Sequence, residues 1–178
     1  MHEAPKDPTL VEATHLVVSC IDHRCTDDLQ SVMSQIVSPS CPDPFAWNRW
    51  DHVALPGASL GVVQSVFPSW REAFASQLSI ALDLHKHIHT IVVVDHLECG
   101  AYKRLHAGYA NDQEAAHRRF TEEFRRFILA LRPSMVVQRY LLEPCKLHNP
   151  TADPLNWQAR DLDSNRIFEC VDHARKSP

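Results

Sequence analysis

The chain has 178 residues, enough to bury one sizeable core and too few for two, so a single domain over residues 1–178 is expected. With 44% hydrophobic and 22% charged residues the composition is that of an ordinary globular protein, and a formal net charge of −4 gives no general pull toward nucleic acid or anionic membrane. No apolar stretch is long enough to span a bilayer and MHEAPKDPTLVEATHL has neither a signal-peptide nor a transit pattern, so a cytoplasmic location is expected.

The run from His15 to Cys20 is short, apolar and β-branched, which predicts a buried strand. TDDLQSVMSQIV follows, with Thr26 as N-cap, acids in its first turn and Leu29, Val32, Met33, Ile36 and Val37 at helical spacing. Three prolines and no clear period make Ser38 to Trp50 a loop. A short strand, Asp51 to Leu55, is expected before a Pro-Gly turn, and then a helix from Ser69 to about Lys86, capped by Ser69 with Glu72 three residues on. His85, His87 and His89 in LHKHIHT read as a polar helix end running into the next strand, with a metal-binding patch as the alternative. TIVVVDH is apolar on both faces, as a central parallel strand should be. DQEAAHRRFTEEFRRFILALRP is a charged amphipathic helix stopped at Pro133, SMVVQRYLLEP another strand, and NRIFECVD a last strand or a short helix. This alternation predicts an α/β fold, with a mostly parallel central sheet flanked by helices on both faces.

Sites in open parallel sheets form at the carboxyl ends of strands. The two most strand-like segments both end in metal-ligating residues: LVVSC delivers Cys20, with Asp22 and Arg24 just beyond, and IVVVDH delivers His96, with Cys99 three residues later. If the two strands are neighbours, these ends converge. Two thiolates and an imidazole suit zinc, and a fourth position left to water marks a catalytic site. Asp22 either binds the zinc and closes the tetrahedron or pairs with Arg24 and leaves that position to water, whose pKa zinc lowers to about 7. A guanidinium offers the planar two-point fork that a lysine cannot. Elsewhere, Gly57 and Gly61 in GASLG lack the third glycine and downstream acid of a dinucleotide site. Cys145 and His148 have ligand spacing but no second pair, and Cys25, Cys41 and Cys170 read as ordinary thiols.

The pair CIDHR (Cys20 to Arg24) and HLEC (His96 to Cys99), followed by Gly100, resembles the two signature segments of the β-class carbonic anhydrases. The resemblance runs over about the first two thirds of the chain and is that of a divergent, compact member. It implies a β-carbonic-anhydrase-like fold, zinc on Cys20, His96 and Cys99, a switchable Asp22–Arg24 dyad, and a homodimer or higher homo-oligomer whose active-site cleft is completed by a neighbouring subunit. It departs from the family at ALPG, where Ala54 and Pro56 stand in place of the usual arginine and alanine while Gly57 is kept.

The reading implied is a zinc lyase: reversible hydration of carbon dioxide to bicarbonate by zinc-bound hydroxide, with Asp22 and Arg24 as catalytic residues. His23 is the candidate for passing the proton to solvent, and Gly57, Val53 and Leu55, with Leu60, are the expected lining of the substrate pocket. Two rivals share the ligand set. One is hydrolysis of carbonyl sulfide or carbon disulfide at the same zinc; the other is a non-catalytic, zinc-stabilised binding or regulatory protein in which Asp22 stays on the metal.

Overall fold

The computed structural model describes residues 12–37, 49–145 and 157–168. Its centre is strand β3 (Thr90–His96), TIVVVDH, in which all seven residues are buried. A strand covered on both faces cannot alternate polar and apolar residues, which is why this segment reads as a continuous apolar run. β1 (His15–Ser19) and β4 (Val136–Pro144) pair with β3 in parallel on its two sides, and β2 (Trp50–Ala54) lies parallel to β1 at one edge. β5 (Trp157–Asp161) and β6 (Ile167–Phe168) continue the sheet antiparallel beyond β4, giving the order β2-β1-β3-β4-β5-β6. The expected mostly parallel sheet flanked by helices is the observed architecture.

Successive β3 residues point to opposite faces. Val92 and Val94 meet Val17, Leu29, Val32 and Met33 beneath α1 (Thr26–Val37). Ile91 and Val93 pack on the other face with Phe74 and Leu78 of α3 (Pro68–Leu84) and Phe124 and Ile128 of α5 (Gln113–Leu131). Each such aliphatic or aromatic side chain contributes about 1.5–3 kcal/mol by leaving water. Two further helices are short: α2 (Ser59–Val63) and α4 (Gly100–Leu105). Among the described residues, no helix is long and apolar enough to cross a membrane.

Two expected caps are corrected. Thr26 continues a single turn of 3-10 helix, His23–Cys25, and Asp22 caps that turn by accepting from the Arg24 backbone N–H. Ser69 lies inside α3, which begins at Pro68; a proline at the first helical position presets φ and needs no N–H partner. The segments α2, α4 and β5 were not expected, and the C-terminal alternative resolves to a strand at Ile167–Phe168. The loop reading of Ser38 to Trp50 falls largely outside the described residues, as do Cys41, His148 and Cys170.

Candidate metal centre

β1 and β3 are neighbours, with Ser19 opposite Val94, so the residue after β1 and the last residue of β3 emerge together at the carboxyl edge. These are Cys20 and His96. The turn after β3 brings Cys99 back to the same point, at the start of α4. The ligand atoms of Cys20, His96 and Cys99 all lie within 4.8 Å of one another, and the two sulfurs are 3.8 Å apart. Zinc–sulfur bonds of about 2.3 Å at a tetrahedral angle require a sulfur–sulfur separation of about 3.8 Å. Both cysteines are free thiols.

The imidazole is oriented for the same task. His96 Nδ1 lies 2.8 Å from the Leu97 carbonyl oxygen, which can only accept, so Nδ1 carries the proton and Nε2 presents its lone pair. That Nε2 is buried and has no hydrogen-bond partner. An unsatisfied buried polar atom costs about 1–3 kcal/mol, and a metal ion at this point removes the cost. A ligating histidine whose other nitrogen is held by a backbone carbonyl is the usual arrangement at metal centres. The donors therefore fit zinc in chemistry, orientation and spacing.

The electrostatics agree. The hydrogen bond from Cys99, followed by contacts with His96 and with the Gly57 N–H 3.3 Å away, hold the Cys20 thiol well below the ordinary cysteine range, against the opposing effect of burial. Cys99 is pushed up, first by its hydrogen bond to Cys20 and then by burial. Burial acts to lower the His96 pKa, yet the sulfurs of Cys20 and Cys25 outweigh it and raise it to about 10. The cluster thus attracts positive charge at Nε2, which either a proton or a metal ion supplies.

Asp22 stands beside this cluster, with Oδ2 3.9 Å from His96 Nε2. Arg24 donates to it twice, from Nε to Oδ1 at 2.9 Å and from Nη2 to Oδ2 at 2.6 Å. Those side-chain hydrogen bonds hold the Asp22 carboxyl well below the usual carboxylate range. Sequence reasoning missed a neighbour of both groups. The Trp157 ring lies edge-on to His96, with centroids 5.9 Å apart, and the Arg24 guanidinium sits 6.0 Å from it.

A cleft of about 590 Å³ opens next to Cys20, Asp22 and Arg24, with Ile21, Pro56, Phe67, Trp70, Ala101 and Leu105 among its walls. Phe67 and Trp70 stack at 4.7 Å between ring centroids. A smaller hollow of about 100 Å³ lies against Cys20 and His96, bordered by Leu29, Val94 and Leu142 and by the polar Ser19, Thr26 and His52. Val53 and Leu55, two residues apart and each half-buried, pack against the core beneath α3 and do not border the cleft. Leu60 is buried against Cys99 and Tyr102.

Gly57 faces the Cys20 sulfur. Its φ of +75° aims its N–H at Cys20, and a Cβ there would stand 3.2 Å from the Ala101 Cβ. Gly57→Ala is expected to destabilise the fold by roughly 1–3 kcal/mol and to weaken metal binding, read by urea unfolding and zinc titration.

The His85, His87 and His89 cluster does not converge. His85 faces Asp51 at 3.5 Å, His87 pairs with Glu12, and His89 Nδ1 bonds the His87 carbonyl at 2.9 Å. Among the described residues, Cys20, His96 and Cys99 are the one group able to gather three donors on a metal.

Fold and donor set together define an α/β protein with a Cys-His-Cys cluster shaped for a metal ion at the carboxyl edge of its sheet. In sequence the chain is 34% identical over 138 residues to an uncharacterized protein of Rickettsia bellii, a match covering 75% of this chain and 79% of that one. It is 33% identical over 138 residues to an uncharacterized protein of Rickettsia conorii, covering 75% and 69%. The chain belongs to the family of these rickettsial proteins. No family model matches it. In structure it is similar to a carbonic anhydrase from Glaciozyma antarctica, at 14% identity and a TM-score of 0.45 over 92% of this chain and 87% of that one. It is also similar to the β-carbonic anhydrase CafA of Aspergillus fumigatus, at 11% identity and a TM-score of 0.47 over 85% and 76%.

Proposed function

We propose that Cys20, His96 and Cys99 hold one zinc ion and that the protein catalyses the reversible hydration of carbon dioxide to bicarbonate. The observation that carries this reading is the buried, unpartnered His96 Nε2 facing two sulfurs at a tetrahedral edge length, with Asp22 held beside them by two hydrogen bonds from the Arg24 side chain. Zinc on three protein ligands supplies Lewis acidity that brings the pKa of water to about 7. Arg24 fixes the Asp22 carboxylate, so that Oδ2 accepts a hydrogen bond from the attacking water and orients it toward the substrate carbon. The apolar walls of the cleft and of the small hollow receive a neutral substrate without hydrating it. His23, exposed on the cleft, accepts the released proton and passes it to solvent.

The proposal includes a cytoplasmic homo-oligomer. Ile21 and Phe67, both on the cleft, are 61% and 39% exposed, and this apolar surface supports association there.

Metal analysis and stopped-flow carbon dioxide hydration from about pH 6 to about pH 9 test the reading. We expect about one zinc per chain and a rate that rises with pH, both lost in Cys20→Ser. Protein purified without chelator that holds no zinc, or zinc protein inert even at the alkaline end, sinks it. Turnover of carbonyl sulfide or carbon disulfide in place of carbon dioxide moves the substrate and keeps the site.

A further inference from the structure

The residue before the ligand His96 is an acid, Asp95, and it is 1% exposed. Strand alternation sends it to the face opposite His96, where its carboxylate meets four donors. Ser59 donates from its backbone N–H to Oδ1 at 3.0 Å and from Oγ to Oδ2 at 2.6 Å. The Tyr102 hydroxyl donates to Oδ2 at 2.6 Å, and His117 Nδ1 lies 3.0 Å from the same oxygen. His117 Nε2 is in turn 3.0 Å from Tyr109 Oη, and Tyr109 Oη accepts from the Cys99 backbone N–H at 3.2 Å. One assignment of protons satisfies the whole chain: Tyr109 donates to His117 Nε2, and His117 donates from Nδ1 to Asp95. Ser59, Tyr102, Tyr109 and His117 are each no more than 1% exposed.

What makes this more than a buried polar cluster is where its arms end. Ser59 opens α2, two residues after Gly57, whose N–H is on the Cys20 sulfur. Tyr102 lies on α4, one turn after Cys99. The Tyr109 arm ends on the Cys99 backbone itself. A single carboxylate, covalently next to His96, therefore fastens the start of α4 behind Cys99 and the turn whose Gly57 N–H contacts the Cys20 sulfur.

Resting on the metal reading above, we propose that Asp95, with His117 and Tyr109, is a positioning residue of the metal centre: it sets the separation and direction of Cys20, His96 and Cys99 before a metal arrives. Outer hydrogen bonds of this kind commonly govern tenfold to hundredfold in metal affinity. A merely structural role would lower the stability of the metal-free protein and leave the ligand geometry unchanged once folded.

The test uses the full chain with Tyr109→Phe and Asp95→Asn, each measured for zinc affinity by chelator competition and for the absorption spectrum of the cobalt(II)-substituted protein. Tyr109→Phe keeps the ring against Tyr102 and His117 and removes the hydroxyl that accepts from the Cys99 N–H and donates to His117 Nε2, so it decides alone if Asp95→Asn does not fold. We expect zinc affinity to fall about tenfold to hundredfold in each folded variant, with altered thiolate-to-cobalt bands. Wild-type affinity and spectrum in folded Tyr109→Phe overturn the proposal while leaving the metal site standing. Wild-type protein that binds neither zinc nor cobalt overturns the metal reading itself, and this proposal with it.

Discussion

Zinc added to the metal-free protein, at a free concentration about a thousand times its dissociation constant, is expected to stabilise the fold by about 4 kcal/mol. In a chain of this size that raises the thermal midpoint by roughly 8–16 °C. His96→Ala should show almost none of this rise, because the two remaining sulfurs cannot fill a tetrahedron and the only imidazole of the cluster is gone. The comparison is made between zinc-free and zinc-loaded samples of each protein, so any stability lost from the core by the substitution itself cancels. An equal rise in both proteins would place the bound zinc elsewhere, with the exposed His85 and His87 the first candidates.

The second large effect is expected at Arg24. Arg24→Ala should retain zinc and lower carbon dioxide hydration by about a hundredfold, the scale of a misplaced catalytic group. The Asp22 carboxylate would lose both side-chain hydrogen bonds that now fix it. Arg24→Lys should recover only part of the loss, since an ammonium cannot reproduce the two-point contact. The pH dependence has a definite sign. Asp22 is depressed mainly by the Arg24 side-chain hydrogen bonds, so their contribution is fully present above the unfolded carboxyl value of about 3.9 and is lost only as pH falls through the lower folded value. A fall in wild-type rate near neutrality therefore belongs to another group. In Arg24→Ala the Asp22 pKa should move upward toward the ordinary carboxyl value of about 3.9, still below the assayed pH range, so the lost rate reflects the lost position of the carboxylate and not its protonation. Full wild-type turnover in Arg24→Ala would remove Asp22 and Arg24 from the catalytic scheme.

The parts of the fold legible in the sequence were those whose cause is local. TIVVVDH spans β3 to the residue, because burial on both faces leaves no room for polar alternation. The helix over 113–131 was equally plain from its charged, amphipathic order of residues. By contrast, α2 has five residues and no side-chain cap, and it is held in part by the Ser59 N–H on Asp95, 36 residues away. β5 exists by antiparallel pairing with β4, a partner that no window around Trp157 contains.

The site divides the same way. The convergence of Cys20, His96 and Cys99 and the Asp22–Arg24 pair could be read from strand ends and spacing. Their surroundings could not. Val53 and Leu55 look as apolar as any cleft wall, and only the packed fold shows them half-buried against the core beneath α3. Asp95 is marked by no motif or spacing in the sequence. Its part in the structure depends on Ser59, Tyr102 and His117, which meet it only after α2, α4 and α5 have packed, and on Tyr109 through His117.

The adjacency of Asp95 and His96 has an evolutionary consequence. Because neighbouring residues of a strand face opposite ways, a slip of β3 by one position would push a carboxylate among the sulfurs and an imidazole into the pocket of tyrosines. Neither side tolerates the exchange. Insertions or deletions of a single residue between Thr90 and His96 should therefore be absent from working descendants of this chain, even where individual side chains drift. Anyone transplanting the centre into another sheet would have to move both faces of the strand in phase, not three ligands alone.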